Sequence, residues 1–189
     1  MQVGKLRSGG VEGNERLTAA TAVVLLALLA VEGVTILFLR PLLPVHIFVG
    51  MLLIPPVALK LTSTGYRFAR HYQRRRAYLA KGAPHPLMRF LVAPVLVVST
   101  VGIFATGVAL LVVGRHAGIV LALHKASFVI WLVAMGIHVL VYARRLISLL
   151  RTERSARGAL LRAGTIAGAL VFGVALACAT LPLAGPWLH

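Results

Sequence analysis

An all-α integral membrane bundle is the architecture this sequence predicts, up-and-down in topology, with five spans and a cytoplasmic N-terminus. Hydropathy, the placement of charge and the shortness of two turns lead to it. Of the 189 residues, 59% are hydrophobic and the mean hydropathy is +0.92, above the range of soluble domains. Five apolar stretches reach the roughly 20 residues that a helix needs to cross a bilayer core. They lie at about 17–39, 42–62, 88–113, 117–142 and 159–181. A cytoplasmic segment 1–16 precedes them and an extracytoplasmic tail 182–189 follows.

The first span has an apolar run longer than the 7–15 residues typical of a secretory signal, and no small-residue cleavage site follows it, so it reads as a retained helix. It carries Glu32, about two turns from Arg40, either as a salt-bridge partner of that arginine or as an acceptor for a quinol proton. The turns at 40–44 and 114–117 are short enough to make antiparallel hairpins of spans one and two and of spans three and four. In a four-helix ring of that order, spans two and four stand diagonally across the centre. Pro55-Pro56 predicts a kink in span two. The basic loop 63–87 contains Gly82, Pro84 and Pro86. Span five is expected to pack outside the ring, with Gly164-x-x-x-Gly168 as its face of close contact.

Charge fixes the expected orientation. Lys5, Arg7 and Arg16 precede the first span. Arg67, Arg70, Arg74, Arg75, Arg76, Lys81 and Arg89 lie between spans two and three. Arg144, Arg145, Arg151, Arg154, Arg157 and Arg162 lie between spans four and five. These sixteen face only Arg40 and Arg115 on the other side, which is the positive-inside pattern. A bacterial plasma membrane fits this asymmetry. The net charge of +16 therefore reads as contact with anionic lipid headgroups or a cytoplasmic partner, and not as nucleic-acid binding.

The four acidic residues are all Glu and are scattered, and Cys178 is the lone cysteine. These facts argue against an intramembrane hydrolytic centre, an intrachain disulfide, a cysteine metal cluster and thiol-attached c-type haem.

Ionisable side chains at membrane depth are costly and usually mark a site. His46 and Lys60 are fourteen residues apart in span two, and His124 and His138 fourteen apart in span four. That spacing is close to four helical turns, so each pair shares a face about 21 Å apart along the axis. On span four the face continues through Phe128, Trp131, Met135 and Tyr142, a stripe that reads as bundle core or as the wall of a cofactor site. On span two it runs through Gly50, Leu53, Val57 and Thr64. His46 and His124 reach a similar depth from opposed helices and could bind one haem through two imidazoles. Gly50 leaves room beside His46, and Ser99, Gly102, Thr106 and Gly107 give span three a small surface.

Nearer the cytoplasmic side, His138 has two readings. It is a ligand of a second haem, opposed by Lys60 or, if the chain folds back, by His71. Alternatively it forms a quinone or proton site with Lys60. Lys60 could also snorkel to headgroups, and Lys125 could pair with a haem propionate or snorkel. His71, His85, His116 and His189 read as loop or terminal residues.

The segments His46-Ile-Phe-Val-Gly50 and His124-Lys125-Ala126-Ser127-Phe128, through Ile137-His138-Val139, resemble the ligand helices of the cytochrome b and b561-type membrane cytochromes. The resemblance covers about residues 42–142. It implies haem b, held at metal-ligand positions His46, His124 and His138, with Gly50, Ser127, Trp131, Lys60 and Lys125 around it. It also implies electron transfer between the quinone pool and a redox partner protein, here expected on the extracytoplasmic side, with no bond-making step by the chain. Lys60 stands where those families place a fourth histidine. Two other classes stay open. One is a small transporter or channel subunit with Glu32, Lys60 and His138 as relay groups. The other is a structural subunit or assembly factor with the histidines as helix glue.

Overall fold

The computed structural model describes residues 11–74, 86–114, 118–151 and 156–188. Five long helices follow one another: α1 (Val11–Leu37), α2 (Leu39–Tyr72), α3 (Ala93–Val113), α4 (Gly118–Arg151) and α5 (Ala156–Thr180). A π-helical turn, Met88–Val92, leads into α3. A 3-10 turn, Leu181–Ala184, joins α5 to the terminal helical turn α6 (Gly185–Leu188). Each of the five long segments is long and apolar enough to cross a membrane, and the chain is an all-α multi-pass membrane protein. Helix is the form such segments must take, because hydrocarbon offers nothing to hydrogen-bond a free peptide group. Large apolar side chains such as Leu37, Ile119 and Leu140 point outward, onto the surface that lipid solvates.

The boundaries differ from the sequence expectation in two places. The first turn lies at Phe38, not at 40–44. Pro41 is accommodated in the first turn of α2, where its missing N–H would have had no carbonyl to bind. The expected loop 63–87 is helical as far as Tyr72. α2 has 34 residues, about 51 Å at 1.5 Å per residue, so it outruns the hydrocarbon and carries Arg67, Arg70 and His71 beyond it. The charges mark the end of the apolar environment and not the end of the helix. Helical assignment is unbroken through Pro55 and Pro56. Lys5, Arg7, Arg75, Arg76, Lys81, His85, Arg115, His116, Arg154 and His189 lie outside the described residues.

α1 and α2 are joined by polar contacts at both ends and an apolar cluster between them. At the basic end, Asn14 Nδ2 donates to the Ser63 carbonyl (2.9 Å), Thr18 Oγ1 lies 3.0 Å from Ser63 Oγ, and Lys60 Nζ donates to the Thr18 carbonyl (2.8 Å). Leu25, Val49 and Leu53 fill the middle. α5 packs on the other flank of α2, where Met51 and Leu52 meet Ala177 and Ala184. The glycine of close approach is Gly173, whose Cα faces the backbone carbonyl of Leu52. Gly164 and Gly168 are exposed and touch nothing there. The expected small-residue contact thus exists two turns further along the helix, because the face of α5 turned to α2 runs through Ile166, Gly173 and Ala177.

α3 and α4 form the second hairpin. It meets the α1–α2–α5 layer chiefly through α4 against α1 and α3 against α2, with α3 also touching the 3-10 turn. In the resulting ring, α2 and α4 are diagonal. The tail does not hang free. Trp187 Nε1 donates to the Leu110 carbonyl (2.8 Å), which ties α6 to α3 at the turn end of the bundle.

Candidate functional site

Between the two bodies lies a cavity of about 1400 Å³ lined by all four ring helices and by Trp187. A typical pocket for one small molecule is roughly 300–1,000 Å³. Both stripes read from the sequence line it. α4 contributes His124, Phe128, Trp131, Met135, His138 and Tyr142, and α2 contributes His46, Gly50, Leu53, Val57, Lys60 and Thr64. The 3.6-residue period that selects these positions is what turns them to one side of each helix.

At the turn end, His46 is anchored from α1. Its Nδ1 lies 2.8 Å from Glu32 Oε1, with the two side chains 23% and 12% exposed. Thr35 Oγ1 lies 3.2 Å from His46 Nδ1, 3.2 Å from Glu32 Oε2 and 2.7 Å from the Glu32 carbonyl. Glu32 is therefore committed to His46, and the expected pairing with Arg40 is absent among the described residues. The turn at Phe38 is the cause, since it brings Glu32 to the level of His46 and leaves Arg40 exposed in the first turn of α2.

Across the cavity, His124 is anchored from α3. Its Nδ1 lies 3.1 Å from the Ile103 carbonyl and 3.0 Å from Thr106 Oγ1. Gly107 makes the space for this ring, because a Cβ there would come within 3.3 Å of His124 Cε1. Gly102 does the same for Ser127, whose Oγ would be 2.8 Å from an added Cβ. These two glycines of α3 make room for α4 side chains. Ser127 itself faces α3 and is not among the residues lining the cavity.

A carboxylate and a carbonyl both accept, so each imidazole carries its proton on Nδ1. In the neutral ring, Nε2 then holds a lone pair. Neither Nε2 has a hydrogen-bond partner among the described residues.

The opposite end is built differently. His138 packs against Tyr142 at a tilt, with ring centroids 4.8 Å apart. The Lys60 ammonium is turned onto the Thr18 carbonyl and not out to headgroups. α2 runs on without folding back, so His71 stands about 16 Å past Lys60. Phe128 and Trp131 are stacked between the two levels, 6.4 Å apart. Lys125 lines the cavity while remaining exposed, and the side chain that Gly50 lacks would have met only Glu32, at 3.7 Å. Glu32 and Lys60 are thus at opposite ends of the cavity, each held by a different partner.

Sequence reasoning missed Thr35, Ile103 and Thr106 as partners of the two histidines. Among the described residues, no group of three or more His, Cys, Asp or Glu is placed to hold a metal ion. Comparison with protein-family models, with curated proteins and with solved structures finds no match to this chain.

Proposed function

We propose that the chain is a membrane b-type cytochrome, with one haem b held between His46 and His124, passing electrons between the quinone pool and a redox partner. The observation that carries this reading is the pair of imidazoles on diagonal helices, each with Nδ1 occupied by an acceptor and Nε2 left for the cavity. Carboxylate or carbonyl acceptors on the distal nitrogen are the usual support of a ligating histidine, since they fix its tautomer and its orientation.

The residues present fit the group. Two imidazoles alone do not make a cage for a free ion, so a metal here must bring its own equatorial ligands, as a porphyrin does. The cavity is apolar along most of its wall and large enough for a macrocycle. Haem would supply a one-electron ferric/ferrous couple here, with His46 and His124 as the residues that would hold its iron. The chain's own work is positional and electrostatic. Glu32 and Ile103 orient the ligands, Gly107 and Gly50 keep space around them, and the apolar walls exclude water. Lys125 offers a cation for a propionate.

His138 supports no second haem as firmly, because Lys60, the α2 residue expected to oppose it, is bound to α1. With the basic end in the cytoplasm, the haem-bearing turn end faces outward, and the partner is expected to be an extracytoplasmic oxidoreductase of a bacterial plasma membrane.

An optical spectrum of the purified protein, oxidised and dithionite-reduced and with haem quantified, tests the reading. A b-type reduced spectrum at one haem per chain, lost in both His46→Ala and His124→Ala, is expected. A protein that stays colourless after expression with added haem would overturn it.

A further inference from the structure

The basic end of the cavity holds what the proposed haem does not use. Its rim carries Arg67, His71 and Arg89. Arg67 has no hydrogen-bond or ion-pair partner among the described residues. Arg89 is held by aromatic rings, its guanidinium carbon 4.6 Å from the ring centre of Tyr72, 4.9 Å from that of Phe90 and 5.8 Å from that of Phe68. It also donates to the Tyr72 hydroxyl, while its buried Nε has no acceptor. Rings fix a guanidinium in place without cancelling its charge. Against the lining carboxylate at this end, Glu15, stand Arg67, Arg89 and Lys60, so the rim keeps an excess of positive charge. Behind it the wall is apolar, from Val57 and Leu61 on α2 to Met135 on α4.

A cationic mouth on an apolar shaft at the headgroup level matches one kind of molecule. We infer that this half of the cavity is a binding site for an anionic phospholipid, with its phosphate between Arg67 and Arg89 and an acyl chain lying along the shaft. Planar guanidinium groups suit phosphate oxygens. Basic pockets between transmembrane helices on the cytoplasmic side are where anionic headgroups collect. The occupant accounts for cavity volume that a single macrocycle leaves over, and it stands independently of the haem.

Native mass spectrometry of the full chain in detergent, with phosphatidylglycerol or phosphatidylcholine added, tests this. It is run on protein expressed with and without haem, so that failure of the cytochrome reading does not decide the result. A retained phosphatidylglycerol adduct is expected, about fivefold weaker for each arginine neutralised in Arg67→Gln and in the Arg67→Gln/Arg89→Gln double variant. Arg74→Gln, exposed and outside the cavity lining, is expected to bind normally. Arg67 lacks structural partners, so its variant folds even if loss of Arg89 disturbs the aromatic cluster. Equal retention of phosphatidylcholine, equal weakening by Arg74→Gln, displacement of the lipid by millimolar inorganic phosphate, or two haems per chain would each overturn the assignment.

Discussion

Glu32 Oε1 lies 2.8 Å from His46 Nδ1, across a helical hairpin whose turn is the single residue Phe38. A carboxylate in this position makes the imidazole a stronger electron donor through its other nitrogen. In the proposed cytochrome it favours the ferric state.

Glu32→Gln keeps the shape and removes the charge. It is expected to leave haem bound and raise the midpoint potential, by about 60 mV for each tenfold change in the relative affinity of the site for the two iron states. Redox potentiometry checks this, and an unchanged potential would show that the carboxylate serves only as a helix contact.

Gly107→Ala is expected to press on the His124 ring while leaving α3 helical, since alanine is the better helix former. Haem occupancy should fall by about tenfold, the scale on which ligand support is usually felt, with circular dichroism unchanged. Haem titration of the variant reads this out.

Gly173→Ala sets a methyl group against the Leu52 carbonyl, a backbone atom that cannot rotate away. A loss of about 1–3 kcal/mol is expected, as for overpacked cores, visible as a lower melting temperature in detergent. Gly164→Ala and Gly168→Ala, which meet open space, should melt like the parent. If all three behave alike, α5 does not dock as described.

Trp187→Phe removes the donor to the Leu110 carbonyl while keeping the ring. About 0.5–1.5 kcal/mol of stability should be lost, and proteolysis of the C-terminal turn should become easier. Unaltered cleavage would mean that packing alone holds the tail.

The two cavity stripes were legible in the sequence because helical period and membrane depth together leave a side chain little freedom. His46 and His124 needed no more than that. The partners of His46 were hidden by one uncertainty, the position of the first turn, and those of His124 by the register of α4 on α3. With the reversal at 40–44, Glu32 lies nearest Arg40. With it at Phe38, Glu32 and His46 reach the same level from opposite sides. Lys60 was misjudged for a related reason. Its depth suggested the headgroups, but the Thr18 carbonyl, freed for a further bond because carbonyls accept twice, lay closer. Ser127 was expected beside the haem only from the resemblance, and its side chain faces α3. Gly173 lay outside any small-residue motif, and only the register of α5 on α2 shows its use.

The contact between the α1–α2–α5 layer and the α3–α4 hairpin bears on how the protein is made. Each body has its own internal seams, so each can reach its native form inside the bilayer before the other is complete. What remains is a lateral docking of two finished halves around an open middle. A haem held as proposed, between helices of both halves, would be enclosed as the halves dock, while the basic end keeps its mouth. His46 and His124 sit on opposite halves, so a metal that binds both, as proposed, would fasten the docking it depends on.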